Sequence, residues 1–231
     1  MKRHYQSVSV GRADAGYTIL LDGRPVKTPA RVTLAVPNAP LAEAVAAEWS
    51  AQGETIKPAE MHLTAFATTA LDKGSDRKQS VVQTLAGYAA TDLLCYRAES
   101  PAELARRQEE RWQPILDWLA LTFDAPLTVT KGILPVPQPE ASLRAIRAAL
   151  ERLDGLHLVP TATIVDQLGS TALGLAVAHR RISAEEAIAL SHIDDDYQAD
   201  LWGWDAEAAT RRRAVAAEVA AAETFLRLLD A

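Results

Sequence analysis

Between Ser191 and Asp205 the chain reads SHIDDDYQADLWGWD, placing one histidine, five aspartates and two tryptophans in fifteen residues. Imidazole and carboxylate are the groups of metal ligation and acid–base chemistry, whereas tryptophan beside carboxylate pairs an apolar anchor with a polar rim, as in protein recognition. If one helix begins at Ser183 and runs to residue 202, His192, Asp196 and Asp200 follow at i, i+4 and i+8 and share a face. Such a face suits the metal centre of a hydrolase. Against that reading, a zinc site takes more than one nitrogen or sulfur ligand, and a hard cation draws its oxygens from a flexible loop. The same helix would also end among four aspartates, Asp194, Asp195, Asp196 and Asp200, where the macrodipole is already negative. Something outside the helix should account for them, and a partner's basic groups would. The expected contact surface is therefore Asp196, Asp200 and Asp205 as rim, with Trp202 and Trp204 beside them and Trp202 packed partly inward.

Other chemistry is sparse. No phosphate-cradling glycine loop, dinucleotide fingerprint, H-E-x-x-H or nucleophile elbow occurs, so neither a catalytic residue nor a cofactor or metal is expected. His4, His62, His157 and His179 fall on unrelated stretches without ligand spacing. Cys95, the only cysteine, sits in the apolar run LLCY and reads as a buried thiol in a reducing compartment. GSTALGLA, at 169–176, reads as close helix packing.

The 231 residues carry a formal net charge of −6 and a pI near 5.4, which argues against nucleic acid or an anionic membrane as partner. No window approaches the ~18 apolar residues of a membrane span, and no apolar leader follows the basic start. The expectation is a cytoplasmic protein.

The elements that position these residues change texture once. From Tyr5 to about Val36 short β-favouring runs alternate with turns, and Asp22-Gly23 between two such runs predicts a type I′ hairpin. Pro25 and Pro29 confine the strand between them to an edge. Asn38 then reads as an N-cap, Pro40 stands in the first turn, and Leu41, Val45, Ala46 and Trp49 share one apolar face, with Trp49 a core anchor. Helices are predicted at about 60–72, 76–90, 101–123, 139–153, 161–180, 183–202 and 205–229, with Pro114 bending or splitting the third near Gln113. Ser183 and Glu186 form a capping box. The expected class is α+β, a small antiparallel β domain at 1–38 followed by a helical domain at 39–231.

LDGRPVKTPA at 21–30, LAEAVAAEWSAQGETI at 41–56, ATDLLCYRAESP at 90–101 and WGWDAEAATRRR at 202–213 resemble the chaperone family that assembles the F1 sector of ATP synthase by holding its free α subunit. The likeness runs from about Tyr17 to Leu229, with Trp204 where the family pattern has a polar or acidic residue. It implies a small β domain followed by a larger helical one, no nucleotide hydrolysis, and the ATP synthase α subunit as partner. Without a transit peptide, a bacterial member working in the cytoplasm is expected. The readings from other classes are a metal-dependent hydrolase using His192, Asp196 and Asp200, and a helical adaptor without a client.

Overall fold

Asp22 and Gly23 adopt φ of 48° and 77°, the positive values that a type I′ turn requires at both central positions. This turn joins β2 (Gly16–Leu21) to β3 (Arg24–Pro25), and β2 also pairs with β1 (Val8–Ala13) and β4 (Ala35–Val36), all antiparallel. β3 stops after two residues at the sheet edge, because Pro25 brings no N–H to a ladder. In the computed structural model, which describes residues 2–73, 77–132, 134–203 and 206–231, the small sheet is followed by a larger helical region.

Two compact units form. One comprises Met1–Lys78, Asp154–Pro160 and Ala221–Ala231, the other Gln79–Leu153 and Thr161–Ala220. In the first, α1 (Ala39–Ser50) begins where Asn38 Oδ1 accepts the Leu41 N–H at 2.9 Å. The Asn38 side-chain amide also donates to Leu228 O and Leu229 O, both at 2.9 Å, at the end of α10 (Ala206–Leu229). Leu41, Ala42, Val45 and Ala46 are buried, and α1 packs on β1 and β2. Phe66 of α2 (His62–Lys73) meets Phe225 edge-to-face at 5.7 Å in the same core. Trp49 is only half-buried. It packs edge-on against Tyr5, and its indole N–H meets no acceptor among the described residues.

The second unit gathers α3 (Lys78–Ala90), α4 (Ala102–Phe123) and α5 (Glu140–Arg152) with most of the later helices. Of the two outcomes expected at Pro114, a bend or a split, the split does not occur: α4 runs unbroken through it. Trp112, Ile115, Leu116 and Leu119 flank it and are buried, so packing holds the helix across a proline that costs about 3 kcal/mol on its own. A parallel pair absent from the sequence reading, β5 (Tyr96–Arg97) and β6 (Thr130–Lys131), is too short to give a periodicity signal.

The single helix expected at 161–180 is two. Gly169, with φ 65°, ends α6 (Gly155–Leu168), and Ser170 caps α7 (Thr171–Ala178) by accepting the Leu173 N–H at 3.0 Å. Gly174 does serve close packing: a Cβ there would lie 2.3 Å from Val165 Cγ2. Below the cap sits Asp92, fully buried, accepting hydrogen bonds from Ser170 Oγ at 2.8 Å, Ala172 N at 3.0 Å and Leu94 N at 3.1 Å. Burial still pushes its carboxyl above the usual range. Burial and then the nearby Asp92 drive the Cys95 thiol up to about 12, which keeps it protonated and inert.

Candidate functional site

Ser183 Oγ accepts the Glu186 N–H at 3.1 Å while Glu186 Oε2 accepts the Ser183 N–H at 2.8 Å, the capping box read from the sequence. It opens α8 (Ala184–Ser191), but this helix does not continue to residue 202. At His192 the backbone turns to φ −107° and ψ 18°, and α9 (Ile193–Trp202) starts afresh. The ring of His192 stays with its own helix end, Nδ1 lying 2.9 Å from both Ile188 O and Ser191 Oγ.

That break reverses the electrostatic reading. Asp194, Asp195 and Asp196 stand in the first turn of α9, where free N–H groups and the positive end of the macrodipole favour carboxylates. The cost inferred for a helix C-terminus is absent for these three.

Three of these aspartates have separate partners. Asp194 accepts a 2.6 Å hydrogen bond from Gln108 Nε2, and the buried Gln108 accepts in turn from Ala98 N at 2.6 Å, which ties α9 to α4. Asp196 receives the forked guanidinium of Arg212 on α10, with Nη2 at 3.3 Å from Oδ2 and the carboxylate 37% exposed. Asp200 pairs with Arg107 Nη1 at 3.2 Å, far out in solvent at 65% exposure. Asp195 is exposed and meets no hydrogen-bond partner among the described residues.

His192, Asp196 and Asp200 thus do not converge. Asp196 and Asp200 turn to two different arginines, and among the described residues no three His, Cys, Asp or Glu side chains gather so as to hold a metal ion.

Trp202 also departs from expectation. It is 78% exposed and its neighbour Leu201 57% exposed, where inward packing of Trp202 was expected. The reason lies in helix phase: Ile193 is the buried residue of α9, and nine steps of about 100° place Trp202 half a turn away from it. The same phase sets Asp195, Gln198, Ala199 and Trp202 at i, i+3, i+4 and i+7, and these four line an open cavity of about 430 Å³ with Arg211 and His192. Gly203 then turns the chain with φ 84°. Trp204 and Asp205, the remaining expected contact residues, lie outside the described residues. The exposure of Asp195 and Leu201 beside Trp202 does not follow from a phase counted from Ser183, because the break at His192 resets the phase to Ile193, the first apolar residue beyond it.

The ATP12 chaperone protein family model matches residues 2–120. Over 218 residues the chain is 25% identical to the mitochondrial protein atp12 of Schizosaccharomyces pombe, covering 87% of this chain and 74% of that one. The crystal structure of Atp12 from Paracoccus denitrificans aligns with TM-score 0.93 at 40% identity, over 99% of this chain and 98% of that one. The Atu1473 protein of Agrobacterium tumefaciens aligns with TM-score 0.93 at 36% identity, over 99% and 86%. The chain belongs to the ATP12 chaperone family of ATP synthase assembly factors.

Proposed function

We propose that this protein holds the free α subunit of ATP synthase during assembly of the F1 sector, and that the outward stripe of α9 is part of the contact. The carrying observation is Trp202, 78% exposed beside Leu201 and a set of carboxylates. A monomer gains nothing by leaving an indole in water, whereas an interface uses tryptophan as anchor. Asp195 and Asp200 supply the acidic rim on the helix that carries Trp202; Trp204 and Asp205, next along the chain, join the proposed contact on their sequence alone. Asp196 belongs to the site through Arg212, which holds α9 to α10 and fixes where Trp202 stands. The client contributes apolar surface, flanked by basic groups, that it later gives to the β subunit. Release follows when β competes for that surface, so a moderate affinity serves the task, and rim charges set capture rate more than strength. No catalytic group or cofactor enters such a cycle. The reading places the protein in the bacterial cytoplasm; among the described residues no helix is long and apolar enough to cross a membrane.

The test is size-exclusion chromatography of the full chain mixed with purified ATP synthase α or β subunit. Co-elution with α, and its loss on adding β, is expected. Separate elution of α at micromolar concentrations would reject the assignment.

A further inference from the structure

The first unit carries a groove of its own. It has a volume of about 660 Å³ and a floor of Tyr5, Leu21, Val26, Trp49 and Ile56. Tyr5 and Ile56 are buried with Met61 in a small apolar cluster against which Leu21 and Trp49 pack. Around the floor stand Lys2, Arg24 and Lys27, all exposed, with His4 on the same arm as Lys2. Asp22 is the one carboxylate among the described lining residues, and it is committed elsewhere. Its oxygens accept from Gln6 N at 3.0 Å, Ser7 N at 2.8 Å and Ser7 Oγ at 3.0 Å, and the Ser7 and Gln6 N–H groups hold its carboxyl below the usual range. In a chain of formal net charge −6 this is a local reversal of sign.

The rim is held in place before any ligand arrives. Lys2 bridges to Thr55, and Arg3 N donates to Glu54 O at 2.9 Å. The Arg3 guanidinium donates to Tyr5 O at 3.1 Å and to Gln52 O, and lies 4.5 Å from the Tyr5 ring centre. None of these hydrogen-bond partners is a carboxylate; the negative charge that Arg3 feels is Asp22, whose carboxyl it helps to hold down behind the arm. Asp22 pins the other end of the arm to the hairpin that carries Arg24 and Lys27.

We infer that this groove docks an acidic segment of a partner protein, seated by apolar side chains on the Trp49 floor with its carboxylates between Lys2, Arg24 and Lys27. Charge complementarity selects the partner, since cations ring an apolar floor while the only carboxylate on the rim faces its own backbone. The cations come from two separate segments and encircle the floor, whereas a small-anion site gathers its donors onto one point. A preorganised arm and hairpin reduce the ordering cost of docking a peptide.

The experiment uses the full chain and two fluorescein-labelled peptides, one alternating glutamate with leucine and one alternating lysine with leucine, read by anisotropy. Saturable binding of the acidic peptide alone is expected, weakening with salt and falling by at least about tenfold in Arg24→Glu/Lys27→Glu. Both positions are exposed, and an unchanged melting curve confirms that the variant folds. Millimolar inorganic phosphate should compete no better than chloride of equal ionic strength. Undiminished binding by the double variant, equal binding of a leucine-free glutamate peptide, full displacement by phosphate, or no binding at all would each overturn the inference.

Discussion

Replacing Trp202 by alanine separates folding from client capture. A buried tryptophan takes roughly 150–250 Å² out of water, and 78% of this side chain is open in the free protein. Covering the open part removes about 150 Å², which at ~25 cal/mol per Å² is an upper value near 4 kcal/mol. Ordering the side chain and its neighbours takes back about 1–1.5 kcal/mol, leaving about 2–3 kcal/mol, or a 30- to 150-fold loss of affinity. In the free protein the residue rests on little, so the melting temperature should stay within the change caused by about 0.5 kcal/mol. Light scattering of the aggregating α subunit, titrated with wild type and Trp202→Ala, supplies the assay. Suppression at the same protein ratio by both, with melting unchanged, would refute the idea that this indole anchors the client. A large drop in melting temperature would refute the idea that it is idle in the fold.

The neighbouring aspartates should divide by task. Asp195→Asn should slow α-subunit capture at low salt and cost no more than the roughly 0.3–1 kcal/mol of a charge at a helix N-terminus, whereas Asp196→Asn, which also breaks a half-buried fork with Arg212, should cost about 0.5–1 kcal/mol more in denaturant unfolding. Asp92→Ala strands the N–H groups of Leu94 and Ala172 and the Ser170 hydroxyl in the core; a loss of about 3–5 kcal/mol is expected from the urea midpoint, and a loss under 1 kcal/mol would show that the site closes up without it. His157 lies 2.9 Å from Asp154 and 3.0 Å from Asp230. Burial draws its pKa down, but the two carboxylates outweigh burial and raise it overall. Its contribution to stability is therefore complete below about pH 6.5, the unfolded value, and disappears as pH rises through the folded one. Melting temperatures from pH 6 to 9 should fall more for wild type than for His157→Asn; parallel curves would remove the effect.

Where local chemistry decided a feature, the sequence announced it. Asp22-Gly23, the Asn38 cap and the Ser183–Glu186 box all stand as read, because each depends on a few adjacent residues. Features decided by packing it did not announce. That Pro114 would leave its helix unsplit was not legible, since buried neighbours decide it, and Ser170 gives no sign in the sequence that its cap rests on a buried Asp92. The change of texture at residue 38 does mark the end of the sheet, yet α1 folds back on β1 and β2, so contacts group strands with helices. At the candidate site the composition of the stretch was legible, while its helical phase was not. One non-helical residue, His192, moves three aspartates from the wrong end of a helix to the favourable one and turns Trp202 from the core to the solvent.

Asn38 has a consequence for how the chain is made. Its carbonyl oxygen starts the first helix, and its amide holds the last turn of the final one, 190 residues later. The compact unit around it needs Ala221–Ala231 as well as the opening segment. A ribosome delivers residues in order at roughly 5–20 per second, so the sheet and α1 emerge seconds before the helix that covers them exists. Until α10 emerges the nascent chain exposes the apolar surface that Phe225 will later cover. The first unit of this assembly factor therefore closes only after nearly the whole chain has been made.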